Sequence, residues 1–173
     1  RTRLPQGCQN RDYYDPFVGA GAVLFALAPR RAVINDYNRQ LMLTYRAVRD
    51  HVEDVIALLA QHRDRHCRDY FYQVRGADRT EAFTHWGEAE QAARLIYLNK
   101  TCFNGLYRVN AQGLFNVPFG RYKHPAICEP EALRAVSAYL QNNEVTLMCG
   151  DFADAVTEAR AGDFVYFDPP YHS

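Results

Sequence analysis

The chain has 173 residues, 48% of them apolar and 23% charged, and its 20 basic and 20 acidic side chains cancel. That is enough length to bury a sizeable core and too much apolar content for a disordered segment, while the overall charge gives no sign of a polyanionic partner. Five cysteines (Cys8, Cys67, Cys102, Cys128 and Cys149) stand far apart without a C-x-x-C pair, which fits neither a zinc ribbon nor a disulfide framework; no apolar run is long enough for a membrane span or a secretory leader, so a cytoplasmic protein with reduced thiols is expected.

In chain order, Tyr13-Tyr14 and Phe17-Val18 lead into Gly19-Ala20-Gly21, and Ala22 to Ala28 then runs apolar as far as Pro29, the order of strand, glycine turn and helix. Ala32 to Ile34 reads as a short buried strand that ends at Asn35-Asp36. Leu41, Tyr45, Val48, Val52, Val55, Ile56 and Leu59 recur at helical spacing and predict one helix from 41 to 59. From His62 to Thr84 the sequence is polar and reads as loops and a surface helix; Glu88 to Asn99 is helical. Gly105, Gly113 and Gly120 separate two short β-like pieces, Leu106 to Val109 and Leu114 to Val117, which predict a hairpin. Glu131 to Leu140 returns as a helix, Val145 to Met148 as a strand and Phe164 to Phe167 as the last strand. Alternating strands and helices of this kind imply an α/β fold, a parallel doubly wound sheet. An insertion at about 60–128 interrupts it, leaving 1–59 and 129–173 as the core. A buried parallel strand so close to the end of the chain leads us to expect a piece of a longer protein.

The insertion carries the charge signal. Between Gln91 and Cys128 there is no Asp or Glu, but Arg94, Lys100, Arg108, Arg121 and Lys123 are interleaved with Tyr97, Phe103, Tyr107, Phe115, Phe119 and Tyr122. Cations for phosphates and flat rings for bases are what a nucleic-acid surface needs, although Phe115 and Phe119 read better as core. His62 and His66 lie four apart, yet without a clear third ligand they read as part of a solvated charged helix and not as a metal site.

The strongest chemical signal is Asp168-Pro169-Pro170-Tyr171 after the apolar Phe164-Val165-Tyr166-Phe167. A carboxylate and a backbone carbonyl at a strand end can both accept from an aromatic amine, two prolines stiffen the turn and remove competing N-H donors, and Tyr171 offers a face for an extruded base. Upstream, Asp15-Pro16-Phe17-Val18-Gly19-Ala20-Gly21 lets the backbone approach a ligand closely; Leu24 stands where a dinucleotide fingerprint would place its third glycine. Asp36 is placed to accept from ribose hydroxyls, or else to cap the next helix. Gly150-Asp151-Phe152 suits an adenine amine and ring, or else a helix cap beside a core phenylalanine.

Together with Asn99-Lys100-Thr101-Cys102-Phe103-Asn104-Gly105-Leu106-Tyr107-Arg108 and Phe115-Asn116-Val117-Pro118-Phe119-Gly120-Arg121-Tyr122, these motifs resemble the Dam-type DNA adenine-N6 methyltransferases over nearly the whole chain. The resemblance implies a Rossmann-like core binding S-adenosylmethionine through Asp15, Phe17, Gly19, Gly21, Asp36, Asp151, Phe152 and Asp168, with Asp168, Pro169, Pro170 and Tyr171 holding the target adenine. It implies a recognition hairpin from Asn104 to Lys123 on double-stranded DNA. There Leu106, Arg108 and Pro118 would face bases, Phe103 would wedge into the stack, Arg121 would meet a phosphate, and Lys100, Asn104, Asn110 and Lys123 would add contacts. It further implies base flipping, a monomer in a bacterial or phage setting at the nucleoid, no metal, and GATC as the target. Two alternatives stay open: a methyltransferase for RNA or for a glutamine amide, and a catalytically inactive DNA-binding fragment.

Overall fold

The computed structural model describes Gly7 and residues 11–169. Four parallel strands form its sheet: β1 (Tyr13–Asp15), β2 (Arg31–Asn35), β3 (Glu144–Met148) and β4 (Phe164–Val165), in the order β3-β2-β1-β4. Their β-branched and aromatic residues suit strands buried on both faces. Tyr13 and Ile34 are fully buried. Helices flank the sheet: α1 (Ala22–Leu27) and α2 (Arg39–Asp50) follow β1 and β2, and α6 (Pro130–Asn142) leads into β3. Leu24, Met42, Tyr45 and Leu140 close one apolar cluster against Tyr13, Ala32 and Ile34. The expected α/β architecture is therefore present. No helix among the described residues is long and apolar enough to cross a membrane.

The single helix expected from 41 to 59 is two. α2 ends and α3 (Val52–Asp64) begins at His51, whose φ of −136° and ψ of 38° leave the helical region. Val48 and Val52 keep the apolar spacing across the break, and no glycine or proline marks it, so periodicity alone could not see it.

The stretch read as loops and surface helix also contributes core. α3 runs on to Asp64, α4 (Arg68–Gly76) buries Phe71 and Val74, and two turns of 3-10 helix (Ala77–Arg79 and Glu81–His85) lead to α5 (Glu88–Thr101). A second apolar cluster joins Val48, Val55 and Leu59 of α2 and α3 to Phe71, Tyr97, Leu98, Phe115 and Val117. Phe115 is core, as expected, and Phe119 packs against the same cluster.

Two readings of charge need correction. Arg94 is not a surface cation: it is 1% exposed, 2.8 Å from Asp78, and donates to the carbonyls of Val74 at 2.9 Å and Arg75 at 2.7 Å. Burial pulls its pKa below the ordinary guanidinium value, and Asp78 opposes that shift. Nor do His62 and His66 sit on a solvated helix face. Both are half-buried among rings: His62 stacks on Tyr97 at 4.8 Å with Nδ1 2.7 Å from the Tyr70 hydroxyl, and His66 Nδ1 lies 3.0 Å from the Tyr97 hydroxyl.

Burial, with a smaller contribution from the Arg65 charge, pushes His62 down to about 4 from an ordinary 6.5. The folded protein thus keeps His62 neutral over a range where the unfolded chain binds a proton. The contribution of His62 to stability is full above pH 6.5 and is lost as the pH falls toward 4. His62→Phe, with urea unfolding measured across that window, is expected to leave a shallower decline than the wild type; an unchanged slope would contradict this placement.

Candidate active site

Because all four strands are parallel, their carboxyl ends lie along one edge of the sheet, where open α/β sheets bind ligands. β1 ends at Asp15 and enters the glycine turn, β2 ends beside Asp36, β3 runs into Gly150-Asp151-Phe152, and β4 runs into Phe167-Asp168-Pro169. The structure thus brings Asp15, Phe17, Gly19, Gly21, Asp36, Asp151, Phe152, Asp168 and Pro169 to the same edge. Pro170 and Tyr171 lie outside the described residues.

The glycine turn is held from three sides. Gly19 and Gly21 have φ of +50° and +71°, a region that side chains with a Cβ resist. The Tyr45 hydroxyl donates to the Gly19 carbonyl at 3.0 Å, and a Cβ on Gly21 would stand 2.6 Å from that hydroxyl oxygen and 2.7 Å from the Phe25 ring. Asp36 accepts from Gly19 N at 3.2 Å and from Asn38 N at 2.8 Å. The cap of α2 falls to Asn38, whose side chain accepts from Gln40 N and Leu41 N. Asp151 does cap a helix, the short α7 (Phe152–Ala155), accepting from Ala153 N at 2.8 Å.

Phe152 is not a core residue. It is 47% exposed and stacks on Phe17 at 5.5 Å and 28°, and Phe167, 52% exposed, also lies 6.2 Å from Phe17. Asp15 is buried and accepts from the Tyr13 hydroxyl at 2.7 Å and from Phe17 N at 3.3 Å. Burial raises its pKa, these two hydrogen bonds oppose that, and the nearby charges of Asp168 and Asp36 add to the rise. The Tyr166 hydroxyl donates to Asp168 at 3.5 Å.

Among the described residues no Lys, Arg or His forms an ion pair with Asp15, Asp36, Asp151 or Asp168. A carboxylate-rich edge without counter-charge among the described residues, with exposed ring faces beside a glycine turn, fits a cationic ligand that carries an aromatic base. Sequence reasoning missed two residues here. Asn35, 1% exposed, donates to both the Pro16 and Gly150 carbonyls at 3.1 Å and so ties the β1 and β3 loops together; its Oδ1 has no partner. Tyr45 looked like one more apolar helix position. Only the depth of the glycine turn reveals its hydroxyl.

The predicted recognition segment is a hairpin with little regular strand. Antiparallel bridges join Cys102 to Phe119 and Val109 to Phe115, and Asn116 N donates to the Arg108 carbonyl at 3.0 Å. Phe103, Asn104, Leu106, Arg108, Pro118, Arg121 and Lys123 are exposed. Arg108, Arg121 and Lys123 have no carboxylate partner among the described residues, whereas Lys100 pairs with Glu129 at 2.7 Å. Asn110 is occupied in the tip, its side chain accepting from Gln112 N and Leu114 N at 3.0 Å.

The sequence model of one family, the D12 class N6 adenine-specific DNA methyltransferases, matches residues 1–173. Curated relatives include a Type II methyltransferase, M1.LlaDCHI, of Lactococcus lactis subsp. cremoris, 48% identical over 159 residues that make up 92% of this chain and 56% of the relative. The DNA adenine methylase of Serratia marcescens is 37% identical over 99% of this chain and 60% of its own length. That of Escherichia coli strain K12 is 33% identical over 99% and 59%. The chain thus spans under two thirds of the length of these relatives.

Gly21→Ala forces both a strained backbone and a clash with Tyr45, which is expected to destabilise the fold by about 1–3 kcal/mol in urea unfolding. Adding Tyr45→Phe removes the hydroxyl the new methyl meets and should recover part of that loss; an additive double variant would argue against the close approach.

Proposed function

Since the chain belongs to the D12 class N6 adenine-specific DNA methyltransferase family, we propose that it is the greater part of an enzyme that methylates N6 of an adenine flipped out of double-stranded DNA. The observation that carries this reading is the meeting of Asp36, Asp151, Asp168 and the glycine turn at one sheet edge. The methyl donor of that family reading is S-adenosylmethionine, whose sulfonium and ammonium charges match carboxylates that have no ion-pair partner among the described residues. When bound, it supplies an electrophilic methyl group on a sulfonium sulfur. Asp36 would accept from the ribose, Asp151 from the adenine amine, and Phe17 and Phe152 would lie against the base, with Asp15, Gly19 and Gly21 shaping the floor.

The target adenine is held by Asp168 and the Pro169 carbonyl, which accept both N6 hydrogens and leave the nitrogen lone pair free to attack. By the family likeness, Pro170 and Tyr171 would complete the socket, the proline by removing a competing N-H donor and the tyrosine by stacking on the base. Extrusion costs a few kcal/mol, which stacking and the wedge of Phe103 offset. Residues 60–128 form the target-reading part and 1–59 with 129–173 the donor-binding part. Leu106, Arg108 and Pro118 face base edges; Lys100, Asn104, Asn110, Arg121 and Lys123 position the backbone. The protein acts as a monomer in the cytoplasm, at the nucleoid. GATC, the target implied by the resemblance to Dam-type enzymes, is the sequence to test first.

Transfer of a labelled methyl group by the complete protein to duplex DNA, RNA and protein distinguishes this reading from one in which RNA or a glutamine amide is the acceptor. The expected result is DNA alone, at adenine, with Asp168→Ala slower by at least about 100-fold while DNA affinity is kept. Transfer at the wild-type rate by that variant would refute the assignment.

A further inference from the structure

The returning arm of the hairpin alternates as a strand does: Phe115 and Val117 are buried at 2% and 1%, and Asn116 between them faces the other way. Among the described residues no partner strand lies along its buried side. Charged side chains stand in that place. Phe115 N donates to Asp78 at 2.9 Å, the Phe115 carbonyl accepts from Arg79 at 2.8 Å, and the Val117 carbonyl accepts from Arg75 at 3.2 Å. Asp78 is fixed in turn by buried Arg94 at 2.8 Å, and it also pairs with Arg79. A buried carboxylate and guanidinium tolerate little movement, because displacing either would leave the other unpaired.

On its open side Asn116 accepts from Arg108 Nε at 2.8 Å. With Nε committed, the two terminal nitrogens of the exposed guanidinium are left without a hydrogen-bond partner among the described residues. They are a donor pair able to take both O6 and N7 of a guanine.

We infer that Asn116 is a positioning residue for sequence readout: it fixes Arg108 end-on toward the major groove, and the Arg75, Asp78, Arg79 and Arg94 cluster fixes Asn116. The inference rests on the reading of Arg108 as a base-contacting side chain. It adds the residues that decide how sharply Arg108 discriminates.

The test compares kcat/KM of the complete protein on a duplex carrying its target with kcat/KM on duplexes altered at one base pair at a time, for the wild type, Arg108→Ala, Asn116→Ala and Asn116→Asp. The ratio cancels any uniform change in DNA affinity. Asn116→Ala should lose discrimination by about 10-fold or more at the same base pair as Arg108→Ala and at no other. Asn116→Asp, which keeps an acceptor for Nε, should restore it, and the two alanine changes combined should cost no more than Arg108→Ala alone. Unaltered discrimination elsewhere in the target shows that Asn116→Ala is folded. Full discrimination by Asn116→Ala, with Arg108→Ala impaired, overturns the positioning role and leaves the readout role standing. Full discrimination by Arg108→Ala removes the reading on which the inference depends.

Discussion

Parallel pairing is the constraint on which this structure turns. In a parallel sheet every strand points the same way, so whatever follows the strands must gather at one edge. Four short strands here deliver a glycine turn, three acidic strand ends and the Asp168-Pro169 pair to that edge. The loops are then tied sideways. Asn35 bridges Pro16 to Gly150, and Asp36 holds Gly19, so the glycine turn is fixed to the loops that follow β2 and β3. Three of the four stretches that meet at this edge are thereby held to one another by hydrogen bonds.

The hairpin stretch poses a different problem. Its hairpin exposes Phe103, Leu106 and Arg108, so one side of it cannot be core, and its arms are too short to brace each other with a full ladder. The cluster around Asp78 and Arg94 supplies hydrogen bonds to the backbone where a neighbouring strand would otherwise stand. A buried ion pair is a weak source of stability compared with apolar packing, but it is strict about direction. Direction is what the proposed reading surface requires, and Phe71, Tyr97, Phe115 and Val117 supply the apolar packing around it.

The sheet edge was legible in the sequence because strand ends are marked chemically: apolar runs stop at glycine or at an acid, and those signals are local. The hairpin was legible from its glycines. What stayed hidden was set by distance. The break at His51 has no glycine or proline to announce it. The helix Arg68–Gly76 hides two buried residues, Phe71 and Val74, in a polar stretch. Arg94 counted as a surface cation because its partner Asp78 lies 16 residues away, and a charge count does not register burial. His62 and His66 were misread for the same reason: their aromatic neighbours come from α4, α5 and the hairpin.

A crystal structure of the complete protein with an unreactive analogue of the methyl donor and a target duplex tests the central claim most directly. The account predicts the donor along the edge between Asp36 and Asp151, and an extruded adenine at Asp168 and Pro169 with N6 about 3–3.5 Å from the position of the transferable methyl. A donor bound away from that edge, or an adenine still stacked in the duplex, would contradict it.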